Sequence, residues 1–314
     1  MRYRVNPGRI WLIGGTSESG RLARAIYQSR LPCTVSVTAS SARSLYPADK
    51  SIRVFVGKLD AEDIGRFLHE EEIAAILDAS HPYAIAISQL AISAAAEFQI
   101  PYLRYERPSV REAKKQEDIE CDRLKQDIET ENTKPFLATI AASDIETDKN
   151  LPSKNSFDSV PGEIEFVANF ETLLAGRSLE GRRVLLTVGY RTLPLFLPWQ
   201  DRCTLFARIL PSVTALETAL AAGFTQERLI ALRPPIPIQL ERSLWQHWQI
   251  QMVVTKASGA PGGEDVKRQL AAELGLRLVI IDRPKLEYPA QTSDFATALE
   301  FCHRILPPNF AAEF

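Results

Sequence analysis

The sequence predicts an α/β protein built as two Rossmann-like parallel-sheet domains with a ligand cleft between them. Three observations predict it. Short apolar runs alternate with stretches of helical period from Ile10 to Tyr105, as successive βαβ units require. The first run ends in Gly14-Gly15, the mark of a buried strand turning tightly into a helix. After an acidic interval, the same alternation resumes from Val184 to Ile281. A chain of 314 residues is long enough for two such domains.

Taken in order, the strands of the first half are expected at Ile10–Ile13, Thr34–Thr38, Ile52–Val56, Ile73–Leu77 and Pro101–Tyr105. Helices are expected at Ser19–Gln28, where Leu22, Ala23 and Ile26 share a face, at Ala61–Glu71 and at Ile85–Phe98. Residues 112–166 change character. Over 112–165 there are 14 Asp and Glu against 7 Lys and Arg, and apolar residues are sparse. This predicts a solvated acidic insertion or linker, partly disordered, with a few helical turns around Glu117 to Glu129. Domains are therefore expected at 1–111 and 167–314. In the second, strands are expected at Val184–Val188, Thr204–Leu210, Leu229–Leu232, Met252–Thr255 and Leu278–Ile281. Helices are expected at Ser212–Ala222, Leu240–Trp248 and Val266–Leu274, the last closed by Gly275. A final helix, Ser293–Ile305, could pack on either domain.

Bulk composition narrows the function classes. Apolar residues make up 45% and charged residues 24%, and the net charge is −2, so neither nucleic acid nor a membrane surface is an expected partner. Cys33, Cys121, Cys203 and Cys302 lie far apart in sequence, which predicts free buried thiols in a reducing compartment. The start of the chain lacks the apolar core of a signal peptide, and no apolar run is long enough to span a bilayer. A cytoplasmic protein, monomer or homodimer, is expected. No group of His, Cys and Asp has metal-ligand spacing, and His69, His247 and His303 read as surface or packing residues.

Ligands of parallel sheets bind at the carboxyl ends of strands, so the loops there carry the candidate chemistry. Gly14-Gly15-Thr16-Ser17-Glu18 joins the first strand to its helix, where tight turning and helix-start N–H groups favour a phosphate. The loop misses G-x-G-x-x-G, and Arg21 and Leu22 replace the Lys and hydroxyl of a P-loop, which argues against a kinase. Ser40 and Arg43 follow the second strand and lean towards a 2′-phosphate. Asp78, Ser80, His81 and Tyr83 crowd the end of a wholly apolar strand, a place for cofactor contact or proton handling, with His81 and Tyr83 as candidate donors. Arg191, Lys256 and Ser258 end two strands of the second half and, with Arg208, are candidates for holding the carboxylates of an acidic substrate. On these residues alone, a reductase or epimerase of some other small acidic substrate and a non-catalytic NAD(P)-sensing module stay open.

The set of motifs resembles one family. Gly14-Gly15-Thr16-Ser17-Glu18 with Leu22-Ala23, then Asp78-Ala79-Ser80-His81-Pro82-Tyr83-Ala84, then Glu106-Arg107-Pro108, resemble the precorrin-6A (cobalt-precorrin-6A) reductases of cobalamin biosynthesis. Leu185–Gly189, Ala207–Pro211, Thr255–Gly259 and Asp282-Arg283-Pro284 follow in the family's order. The likeness covers about residues 10–111 and 167–285. Ser80 stands where the family pattern has Thr, and Ala42-Arg43 where it often has Ala-Gly-Arg. The resemblance implies NADPH or NADH in the cleft and hydride transfer to a C=N/C=C unit of a corrinoid tetrapyrrole, giving the dihydro (6B) product.

Overall fold

The structure, a computed structural model, describes residues 8–108, 110 and 162–306. The first sheet is formed by β1 (Arg9–Ile13), β2 (Cys33–Val37), β3 (Ile52–Val56), β4 (Ile73–Asp78) and β5 (Tyr102–Tyr105), joined by α1 (Ser17–Gln28), a 3-10 helix (Ser40–Leu45), α2 (Ile64–Glu70) and α3 (Ile85–Glu97). The second sheet has β6 (Ile164–Val167), β7 (Arg183–Thr187), β8 (Thr204–Ile209), β9 (Leu229–Ala231), β10 (Met252–Lys256) and β11 (Arg277–Ile281). Its connections are α4 (Phe170–Ala175), a 3-10 helix (Tyr190–Trp199), α5 (Val213–Ala221), α6 (Ile238–His247) and α7 (Glu264–Leu274). The chain ends with β12 (Gln291–Thr292) and α8 (Phe295–Ile305).

Both sheets have six strands, in the orders β12-β5-β4-β1-β2-β3 and β6-β11-β10-β7-β8-β9. Every pairing is parallel. The first sheet thus has the doubly wound 3-2-1-4-5-6 arrangement, and the second has the same winding with β6, the first of its strands in the chain, in the outermost place. The direction reverses between β1 and β4 and between β7 and β10. Apolar side chains cover both faces. One face of the first sheet holds Ile10, Leu12, Leu22, Val35 and Leu77, and the other holds Trp11, Ile13, Phe67 and Ile76. The second is built the same way, with Val184, Leu186 and Val254 on one face and Leu185, Val253 and Leu278 on the other. This is why its strands read as unbroken apolar runs.

The sixth strand of each sheet lies outside its own βαβ series, and here the structure departs from the boundaries expected at 111/112 and 166/167. β6 opens the second sheet inside the interval assigned to the insertion, pairing Leu278–Ile281 with Ile164–Val167. β12 leaves the second domain and pairs Gln291 and Thr292 with Arg104 and Tyr105. α8 follows it, and Ala298, Phe301 and Cys302 complete the first core. A strand buried on both faces still needs an edge partner for its N–H and C=O groups, and these segments supply it to β11 and β5. The turns considered around Glu117 to Glu129 lie outside the described residues. Cys33, Cys203 and Cys302 are buried and free, while Cys121 is outside them. Among the described residues, no helix is long and apolar enough to cross a membrane, and no cluster of His, Cys, Asp and Glu is arranged to hold a metal ion.

Candidate active site at the carboxyl ends of the two sheets

The β1–α1 loop and the β4–α3 loop meet where the first sheet changes direction. Gly14 is required by contact: a Cβ there would stand 2.4 Å from Tyr46 Oη and 2.8 Å from Val35 Cγ1. Gly15 is required by conformation, with φ +97°, and nothing lies within 4 Å of where its side chain would be. Thr16 caps α1, accepting from Ser19 N at 3.0 Å and donating to Ala79 O at 2.9 Å, which ties the two loops together. Several loop amides are already committed. Gly15 N–H donates to Tyr46 Oη at 2.7 Å, and Thr16 N–H to Ser19 Oγ at 3.1 Å. Ser17 Oγ donates to Glu18 Oε2 at 3.0 Å.

Glu18 is buried rather than open to a ligand. Its carboxylate accepts from Arg107 Nη1 at 3.0 Å. Burial works the other way, but the Arg107 guanidinium holds the carboxyl below its usual range. Arg107 is the site residue that sequence reasoning missed. It lines the crevice formed with Thr16, Glu18, Ser80 and Pro82, and its Nε is buried without a partner. The motif Glu106-Arg107-Pro108 was visible, but a strand-end Arg in a charged loop carries no directional signal.

Asp78 and Ser80, expected to touch a cofactor, are buried structural anchors. Asp78 Oδ1 accepts from Ser80 N at 3.0 Å and Arg104 Nη1 at 2.8 Å. Its Oδ2 accepts from Ser88 Oγ at 2.6 Å and Tyr102 Oη at 2.8 Å. Ser80 Oγ accepts from Arg104 Nη1 at 2.9 Å. Arg104 continues to Glu106 at 2.7 Å, and Glu106 to Arg283 Nη1 at 2.7 Å. Alternating charges therefore run from β4 into the second domain, each one compensated by the next.

Tyr83 crosses the same boundary. Its hydroxyl donates to Ile281 O at 2.5 Å, lies 3.1 Å from Asp282 O, and accepts from Ala257 N at 3.0 Å. Burial pushes the phenol above its ordinary range. His81 is exposed to the cleft, with Nδ1 accepting from Tyr83 N at 3.3 Å. Loss of hydration, then the fields of Arg107, Lys256 and Arg283, push the imidazolium well below its ordinary range, with Glu18 opposing.

On the second domain, Lys256 Nζ stands 4.9 Å from the Tyr83 ring centroid and 5.7 Å from that of Phe170. Burial and then Arg191 lower its ammonium to about 8. Arg191 is exposed, with its guanidinium 5.6 Å from the Tyr190 ring, and Ser258 is buried beside Gly262. Arg208 does not join them. It is paired with the buried Glu241 on the helix-covered face of the sheet, so its charge is already used. Ser40 and Arg43 lie exposed after β2, and Arg43 Nη2 donates to Val54 O at 3.0 Å. Beyond Arg107, a cavity of about 970 Å³ opens between Pro82, Pro108, Arg283, Lys285, Tyr288 and Thr292.

Fold and site together define a class: a two-domain doubly wound α/β protein with a cation-lined cleft where both sheets present their strand ends. Within that class, the chain belongs to the precorrin-6x reductase family, CbiJ/CobK, whose model matches residues 9–303. It is 40% identical to the cobalt-precorrin-6A reductase of Synechocystis sp., over 95% of this chain and 97% of that one. It is 31% identical to the enzyme of that name from Priestia megaterium, over 91% and 94%. Among solved structures, CobK precorrin-6A reductase has the same fold, with a TM-score of 0.64, 18% identity, and 95% and 97% of the two chains covered.

Proposed function

We propose that this chain reduces precorrin-6A or its cobalt form to the 6B product in corrin-ring biosynthesis, using NADPH or NADH, in the cytoplasm. The observation that carries the reading is the cleft itself: two switch points face one another, with Gly15 open on one side and Lys256 and Arg191 on the other. The residues suit a dinucleotide. Gly15 leaves room for a phosphate to approach the backbone, and Arg107 Nε and Arg283 Nη2 are buried donors without partners. Ser17 and Arg107 would hold the pyrophosphate, with Thr16 shaping the loop because both its donors are used within the fold. Ser40 and Arg43, exposed after β2, would meet the adenosine ribose. Glu18 acts through Arg107, because a bare carboxylate there would repel phosphate. When bound, the reduced nicotinamide supplies the hydride.

The chain's own residues supply charge and a proton. Arg191 and Lys256 pair substrate carboxylates, and Ser258 adds a hydroxyl to the same wall. Of the cleft groups, Lys256 is the better proton donor. The Tyr83 proton is tied to a backbone carbonyl, and His81 is held neutral. The Lys256 ammonium, at about 8, keeps its proton at neutral pH yet releases it readily. The test is to incubate the protein with precorrin-6A or cobalt-precorrin-6A and each nucleotide. Substrate-dependent oxidation of one is expected, and none with either overturns the reading.

A further inference from the structure

The loop that carries Lys256 and Ser258 is held from behind by two buried charges. Lys267, on α7, is 2% exposed, and its Nζ donates to Gly262 O at 2.8 Å and Gly263 O at 3.1 Å. Glu264, 1% exposed, accepts from Gly259 N at 2.9 Å through Oε2 and from Arg268 through Oε1. Two of its residues, Gly259 and Gly263, have φ of +69° and +68°, where an ordinary side chain would be strained. It also fits tightly: a Cβ on Gly262 would lie 1.9 Å from Ser258 Oγ. Gly259 in turn packs toward Pro108 O and Arg283 Nη2, at the boundary with the first domain.

We propose that Lys267, assisted by Glu264, is a positioning residue of the reductase site, fixing the 256–263 loop, with Ser258 packed inside it, so that Lys256 faces the cleft. The inference rests on the function proposed above. Its physical ground is cost. Burying an ammonium loses several kcal/mol of hydration, and an apolar side chain of the same length would fill the space more cheaply. What methionine cannot do is hold two adjacent carbonyls. The groups facing Lys267 are Arg208, which with burial lowers its ammonium to about 7, and Glu241, Glu264 and Asp265, which oppose that. Of the carboxylates that favour its protonated form, Glu264 also holds the loop through Gly259 N.

The test is Lys267→Met in the full chain, assayed with precorrin-6A and the nucleotide the wild type oxidises. The melting temperature should fall but the transition stay cooperative, since two carbonyls lose their donor while the hydration cost of a buried ammonium is removed. The kcat/KM should fall at least tenfold. With the loop relaxed, Lys256 regains water, and the alkaline limb of its pH profile should move up from about 8. A kcat/KM within twofold of wild type overturns the proposal. If Lys267→Met does not fold, Glu264→Gln takes its place. A severalfold fall in kcat/KM at unchanged melting temperature supports the proposal, and unchanged kcat/KM overturns it. A wild type that oxidises neither nucleotide sinks the parent function instead, so the two failures are distinct.

Discussion

At the scale of single residues, the cleft separates groups that hold the protein together from groups left free to act. Asp78, Ser80, Tyr83 and Arg208 share the polar character of site residues, yet each has its hydrogen-bonding capacity met inside the fold. Arg107, Arg191 and Lys256 retain capacity. His81 lies between these sets, and its pH behaviour follows from its neighbours. Its folded pKa is lowered, by loss of hydration among its cleft neighbours first and then by three cations, while unfolded histidine titrates at about 6.5. Below that value the unfolded chain binds the extra proton and the folded chain resists it. The His81 contribution is therefore fully present above about pH 6.5 and is lost as pH falls towards the folded pKa. In His81→Gln, urea midpoints should fall less steeply between neutral and mildly acidic pH than in wild type. Parallel curves would mean that the cations do not act on this ring.

At the scale of elements, the β1–α1 unit shows how loop, cap and helix act together. Gly15 sits at φ +97° in open space, so any substitution is strained but none clashes. Gly15→Ala isolates the strain, and Gly15→Asp adds a charge against the bound pyrophosphate. Both should melt lower by a similar amount, while only Gly15→Asp should weaken NAD(P)H affinity by tenfold or more beyond Gly15→Ala in a fluorescence titration. Equal affinities would remove this loop from the cofactor site. The unit was legible in sequence because its signals are local: four apolar residues, two glycines and the helical spacing of Leu22, Ala23 and Ile26. The same holds for the other strands of both βαβ series. The strands missed were β6 and β12. They are short and half exposed, and they are defined by partners far along the chain, so no period marks them. Roles in the site were hidden for the same reason. Asp78 meets Arg104 across 26 residues, Arg208 meets Glu241 across 33, and Tyr83 meets Ile281 across 198. Residue type at a strand end identifies a polar site, but its occupancy is decided by these distant partners.

At the scale of the molecule, those long-range ties make the domains one unit. The second domain's terminal segment completes the first sheet with β12 and its core with α8. Tyr83 joins the first domain to Ala257 and Ile281, and Arg283 reaches back to Glu106 and Arg107 O. A first domain that unfolds must release β12 and α8, and it strips these bonds from the ends of β10 and β11. Global unfolding should then be a single transition. The tryptophans make this testable, since Trp11 is in the first core and Trp199, Trp245 and Trp248 are in the second. In Trp11→Phe, every tryptophan reports on the second domain. Adding Leu12→Ala removes buried volume from the first core alone, at a cost of about 2–5 kcal/mol. If the domains unfold together, the urea midpoint read by the remaining tryptophans must fall with it, in step with far-UV circular dichroism. A tryptophan midpoint that stays in place while the dichroism splits into two steps would show independent domains, and with them a cleft free to open and close about the 282–290 segment.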